Sequence, residues 1–265
     1  MQNLRVSLVQ GETRWHDPAG NRDYYGGLIA PLHGTTDLVV LPETFTSGFS
    51  NDAIGSAETM DGPTVAWLRG QAAALDAAVA GSVQLRTADG VFNRMLFATP
   101  DGGLAHYDKR HLFSYANEHE RYAAGRERTV VAWRGWNILL QVCYDLRFPV
   151  FSRNRPDPAR GGQPDYDLAL YVANWPAARA YAWKTLLRAR AIENLCYVVG
   201  VNRVGTDGNG LRYDGDSAAI DFLGHPLTEA ADEPVVSTML LQAAPLLEHR
   251  ARFPALRDGD AFDLR

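Results

Sequence analysis

The feature that most restricts the fold of this chain is a succession of short apolar runs, each no longer than a single strand. They are Leu4–Gln10, Leu38–Leu41, Ala77–Gln84, Asn93–Thr99, Val130–Trp133, Asn137–Val142, Asp167–Ala173, Tyr197–Asn202, Asp216–Asp221 and Val235–Leu241. Val, Ile, Leu and aromatic residues dominate them and Gly, Pro, Asp or Asn bound most of them, the pattern of buried strands closed by turns. Helical spacing appears between them. Pro63 to Ala78 brings Val65, Leu68, Ala72, Leu75 and Val79 onto one face, with Asp61 available as a cap. Ala180–Asn194 reads as a second helix with its basic residues toward the later turns, and Asn21–Leu32 as a less regular third. Strands alternate with helices early and follow one another later. That order predicts an α/β (α+β) protein with helices packed outside a sheet and a substantial antiparallel component. The polar, Pro-rich Arg153–Pro164 reads as a surface loop and Gly205–Gly215 as a turn-rich connection. No repeat or low-complexity linker divides the chain, so residues 1–265 are expected to form a single domain.

Composition excludes several function classes. With 31 acidic and 26 basic residues the net charge is −5, and the densest basic stretch, Lys109-Arg110-His111, is too short for the basic face that nucleic acid requires. No run approaches the ~18 apolar residues of a membrane span. Met1 to Gln10 lacks the cationic start and long apolar core of a signal peptide. The two cysteines, Cys143 and Cys196, fall short of a disulfide framework and fit reduced thiols in a cytoplasmic protein. The histidines form no His-x-x-x-His or His-x-His pair for zinc, and neither a Gly-x-Ser-x-Gly elbow nor a phosphate-binding Gly-Lys-Ser/Thr loop is present.

Chemistry is expected at strand ends. Glu43 follows the run ending in Leu41-Pro42, Cys143 follows Asn137–Val142, and Asn174 follows Asp167–Ala173. In sheets with helical faces, ligands bind beyond the carboxyl ends of the strands. If these strands are parallel and adjacent, the three side chains meet there, and Lys109 joins them after the extended stretch Leu104–Asp108. Each residue also has an ordinary reading. A cysteine in an apolar run is by default core filler, and Cys196 is left as that. Cys143 differs because a polar turn, Tyr144-Asp145-Leu146-Arg147, follows it at once and can expose a thiol. Glu43 is apolar on both sides, which favours a buried carboxylate fit for proton transfer near neutral pH. Lys109 alone reads as one member of a charged surface cluster.

Together these segments resemble the nitrilase (carbon–nitrogen hydrolase) superfamily along nearly the whole chain. The resemblance is carried by Leu41-Pro42-Glu43, by Tyr107 to Phe113, by Val142-Cys143 to Pro149 and by Arg188 to Asn194. It implies a Glu43–Lys109–Cys143 triad in a four-layer α-β-β-α sandwich of two facing sheets. It also implies a homodimer or higher homo-oligomer, a small-molecule amide substrate, and no metal or organic cofactor. Ala173 to Pro176 and Arg252 to Asp258 look like the bacterial ω-amidase branch, which cleaves the terminal carboxamide of dicarboxylic acid monoamides such as α-ketoglutaramate. Family members often carry a second glutamate seven residues before a glycine. Glu118, seven before Gly125, takes that place rather than its neighbour Glu120, and would position Lys109 or the substrate amide. Tyr144 is expected to supply a backbone N–H for the oxyanion and Trp175 a pocket wall, although a tryptophan is equally an ordinary core residue. Arg147 and Arg179 are candidates by position for the distal carboxylate, and either could equally be structural, Arg147 by bracing the turn after Cys143. Rival readings keep the triad and change the substrate: an N-carbamoyl amino acid hydrolase, a deaminated-glutathione amidase or a nitrilase. A catalytically silent binding protein is the reading from a different class.

Overall fold

A computed structural model describes residues 1–157 and 161–264. The chain runs through β1 (Leu4–Gln10), α1 (Pro18–Ile29), β2 (Leu38–Val40), α2 (Pro63–Leu75), β3 (Ala78–Thr87), β4 (Gly90–Ala98) and β5 (Leu104–Asp108). It continues through β6 (Val130–Trp133), β7 (Trp136–Val142), a short α3 (Pro149–Ser152), a small ribbon of β8 (Pro156–Asp157) and β9 (Gln163–Pro164), β10 (Leu168–Ala173) and α4 (Ala180–Asn194). After β11 (Tyr197–Asn202) comes a hairpin of β12 (Val204–Thr206) and β13 (Arg212–Asp214). The last elements are β14 (Ala218–Ile220), β15 (Pro226–Glu229), β16 (Val235–Leu241) and α5 (Ala243–Arg252).

Two six-stranded mixed sheets result, in the orders β16-β1-β2-β3-β4-β5 and β15-β14-β11-β10-β7-β6. In the first, β1, β2 and β3 are parallel; in the second, β7, β10 and β11 are. Side chains alternate across a strand, and the alternation sorts the apolar residues into layers. Leu4, Val6, Leu8, Leu38 and Val40 meet Ile138, Leu140, Val142, Leu170 and Val172 in the core between the sheets. The opposite faces are covered too. Val39, Leu41 and Val79 pack under α1 and α2 through Tyr25, Ile29, Val65 and Leu68. Leu139, Ala169, Tyr171 and Val198 pack under α4 through Trp183, Leu187 and Ala191. The expected four-layer sandwich is therefore present, and burial on both faces explains why the central strands read as nearly continuous apolar runs.

Several boundaries differ from the sequence expectation, each for a local reason. The helix α2 stops at Leu75 rather than Ala78, because Asp76 turns left-handed at φ 50° and the chain enters β3. Its N-terminus is capped not by Asp61 but by Glu58, whose carboxylate accepts the Thr64 N–H at 2.7 Å. The first helix begins at Pro18, where Asp17 accepts the Gly20 N–H at 2.9 Å, and gives way to a 3-10 turn, Ala30–Leu32. Gly205–Gly215 is the hairpin of β12 and β13. Arg153–Pro164 contains the small ribbon, and its residues 158–160 lie outside the described residues. Among the described residues no helix is long and apolar enough to cross a membrane.

Candidate active site

The parallel strands β7 and β10 are neighbours, so Cys143 and Asn174, one residue beyond each, emerge side by side. Glu43 does not come from a strand beside them, as adjacency would require. It follows β2 in the facing sheet, and Lys109 follows β5 of that same sheet. The site thus sits at one end of the sandwich, with two side chains from each sheet.

The Cys143 backbone is left-handed at φ 47° and opens a 3-10 turn over Cys143–Arg147. A non-glycine residue in this region costs about 1–2 kcal/mol. The turn offsets that cost through Asp145, whose carboxylate accepts the Val142 N–H at 3.0 Å. The sharp turn lifts the thiol out of the apolar run, and Cys143 is partly exposed where Cys196 is fully buried.

Glu43 is buried and surrounded by donors. Its Oε1 accepts Lys109 Nζ at 3.0 Å and Asn93 Nδ2 at 2.7 Å, and its Oε2 accepts the Asn174 N–H at 2.7 Å. The Asn174 side chain donates to the Glu43 carbonyl at 2.8 Å and to Thr44 Oγ1 at 3.0 Å, tying the two sheets together at the site. Lys109 is 1% exposed and shared between carboxylates, with Glu118 Oε1 at 3.0 Å and Oε2 at 2.9 Å. Glu118 is itself held by the Phe113 N–H at 2.6 Å, while Glu120 is exposed. The loop ending at Gly125 is fastened to this cluster, its N–H donating to the Lys109 carbonyl at 2.9 Å. A Cβ on Gly125 would lie 2.0 Å from the Asp108 carbonyl oxygen, so only glycine fits that approach.

The electrostatics follow from this crowding. Burial works against charge on Lys109, but Glu118 and Glu43 outweigh it and hold the ammonium well above the usual lysine range. Burial pushes the Glu118 carboxyl up; Lys109 opposes this and the charge of Glu43 adds to it. Burial, then the negative charge of Glu43, drive the Cys143 thiol well above its ordinary value, with Lys109 only partly opposing them.

One cleft is lined by Glu43, Lys109, Cys143, Tyr144, Arg147, Asn174, Trp175 and Arg179, while Glu118 stands behind Lys109. Arg147 lies over the Trp175 ring at 4.9 Å and Arg179 over Phe113 at 5.3 Å. Among the described residues neither guanidinium has a carboxylate partner. The sequence reading missed Asn93, which bridges Glu43 and Glu118, and the wall residues Phe49, Phe113, Leu211 and Tyr213. For Asn93 a signal existed, a polar residue inside the mostly apolar strand β4. For Leu211 and Tyr213, inside a run that reads as turns, there was none.

A thiol-bearing turn, a buried carboxylate and a carboxylate-held ammonium thus face one cleft. The model of the family described as carbon-nitrogen hydrolase matches residues 5–244, and the chain belongs to that family. It is 49% identical to the omega-amidase YafV of Yersinia enterocolitica over 99% of each chain, and 47% identical to that of Escherichia coli K12 over the whole of both. A CN-hydrolase superfamily protein of Xanthomonas campestris, solved with an arsenic adduct in its active site, superposes with a TM-score of 0.99 at 70% identity, covering 100% of both chains. The fold is also that of Saccharomyces cerevisiae Nit3, with a TM-score of 0.84 at 24% identity over 96% of this chain and 95% of that one.

Proposed function

We propose that this protein is an ω-amidase, hydrolysing the terminal carboxamide of a small dicarboxylic acid monoamide through a thioester on Cys143. The observation that carries the reading is the pairing, in one cleft, of Cys143, Glu43 and Lys109 with two guanidiniums that have no carboxylate partner among the described residues. The similarity to curated omega-amidases over the full chain supports the same substrate class. In this reading Glu43 takes the thiol proton as the sulfur attacks the amide carbonyl. The Lys109 ammonium and the Tyr144 N–H stabilise the oxyanion, an effect that usually contributes more than any other to acyl transfer. Glu43 returns its proton to the departing ammonia, then deprotonates the water that opens the thioester. Glu118 positions Lys109, Asn174 and Trp175 shape the amide end, and Arg147 and Arg179 receive the distal carboxylate. No step calls on a metal or an organic cofactor.

Ammonia release from α-ketoglutaramate, succinamate, glutamine and a simple nitrile tests this. The first two are expected to react fastest. Glutamine should lag, because its α-ammonium would face the two guanidiniums, and Glu43, the only carboxylate lining the cleft among the described residues, is already engaged by Lys109. Preference for the nitrile or for glutamine would overturn the substrate class while leaving the hydrolase. The reading also takes residues 1–265 as one catalytic domain working in the cytoplasm as a homodimer or larger homo-oligomer. Tyr181 and Ile192 on α4, 84% and 51% exposed, offer apolar area to a second copy. Light scattering of the purified protein is expected to give at least twice the chain mass, and a monomer would refute that part.

A further inference from the structure

Behind the nucleophile lies a buried carboxylate with no part in the chemistry above. Asp145 is fully buried and accepts hydrogen bonds from both sheets. Its Oδ2 takes the Val142 N–H at 3.0 Å and the Tyr107 hydroxyl at 2.8 Å. Its Oδ1 takes the His111 N–H at 3.0 Å and lies within hydrogen-bond distance of His111 Nδ1, 2.7 Å away. The Tyr107 hydroxyl in turn accepts the Arg110 N–H at 3.1 Å. Lys109 therefore sits between two residues, Tyr107 and His111, that are both fastened to the carboxylate two positions after Cys143. The His111 ring also stacks on Phe148, at the end of the nucleophile turn, with centroids 3.8 Å apart and planes 5° apart.

This arrangement answers a problem that the fold creates. Cys143 stands on one sheet and Lys109 on the other, and between the sheets lies an apolar core. Apolar contacts are non-directional and do not fix two side chains to the tolerance that catalysis requires. Directional bonds must do it. On the Glu43 side, Asn174 bridges the sheets. On the Lys109 side, the structure shows Asp145 bridging them.

We infer that Asp145, through Tyr107 and His111, is a positioning residue that sets the placement of Lys109 against Cys143. The inference rests on the roles proposed above for those two residues. Asp145 touches no substrate; it acts through the segment carrying the ammonium and the turn carrying the thiol. Loss of one tie is expected to misplace the oxyanion stabiliser without altering the arginine end of the cleft, so kcat falls and KM holds.

The test uses His111, which is partly exposed where Asp145 is fully buried. His111→Ala is expected to lower kcat roughly ten- to hundredfold, the scale of a small misplacement of reacting groups, with KM within about twofold. His111→Asn places an amide N–H where Nδ1 stood and should recover most of kcat. Tyr107→Phe keeps the ring, removes only the hydroxyl tie, and should repeat the split; it decides the question if His111→Ala does not fold. Unchanged kcat in folded His111→Ala and Tyr107→Phe overturns the inference. So does His111→Asn as slow as His111→Ala, since ring stacking rather than the donor would then matter. Turnover in Cys143→Ala, run alongside, would instead overturn the nucleophile assignment beneath it.

Discussion

Lys109→Ala is expected to lose two to three orders of magnitude in kcat and to unfold at markedly lower denaturant, two losses with separable causes. Removing one oxyanion donor costs roughly 2.7–4 kcal/mol of transition-state stabilisation. The stability loss comes from what remains. Glu43 and Glu118 are both fully buried, and Lys109 is the cation each of them contacts. Breaking a buried pair by deleting one partner costs about 3–5 kcal/mol. Adding Glu118→Gln to Lys109→Ala removes one stranded charge while Asn93 still donates to Glu43. The double variant should recover much of the stability in urea unfolding and none of the activity. Recovery of turnover in the double variant would mean that Lys109 only balances charge.

The sequence revealed the residues of this site better than their grouping. Glu43, Cys143 and Asn174 each stand just past an apolar run, where β2, β7 and β10 have ended and the chain lies at the end of the sandwich. What the runs could not reveal is which sheet each strand joins. Glu43 lies on the facing sheet, and the bond that joins it to Asn174 spans 131 residues. Elements at the margins were hidden for the same physical reason, a weak apolar signal. The edge strand β15 is mostly exposed and offers no apolar run. The helix α5 buries Arg250 beside Leu246, with Arg250 paired to Asp167 at 2.6 Å, so its inward face does not read as apolar. Leu211 and Tyr213 reach the cleft from a hairpin whose Asn, Asp and Gly content speaks only of turns. Asp145 was visible only as part of a polar turn, and its significance appears once the Lys109 segment lies against it.

Cys143→Ala is expected to bring turnover below detection while the protein still folds and still binds substrate. The thioester cannot form, yet the arginine walls, Glu43 and Lys109 are untouched, so calorimetric titration with succinamate should still show saturable binding. Turnover near the wild-type rate would remove Cys143 from the mechanism, and with it the thioester. The backbone adds a second expectation. At φ 47° an alanine carries the same strain as the cysteine. Glycine escapes about 1–2 kcal/mol of it and gives back about 0.4–1 kcal/mol through its freer unfolded chain. Cys143→Gly should therefore unfold no earlier than Cys143→Ala, against the usual ranking of the two residues. In the unaltered protein the pH dependence of alkylation tests whether burial and Glu43 hold the Cys143 thiol above its ordinary value. A thiol held above its ordinary value contributes less thiolate at neutral pH than a free cysteine, and that fraction grows about tenfold per pH unit. Carboxamidation of the Cys143 peptide by iodoacetamide should climb steadily as pH rises from about 7 to 9, beyond the free-thiol value near 8.5, without levelling. A plateau near neutrality would reveal a resting thiolate paired with Lys109, and Glu43 would then lose the first proton transfer but keep the later ones.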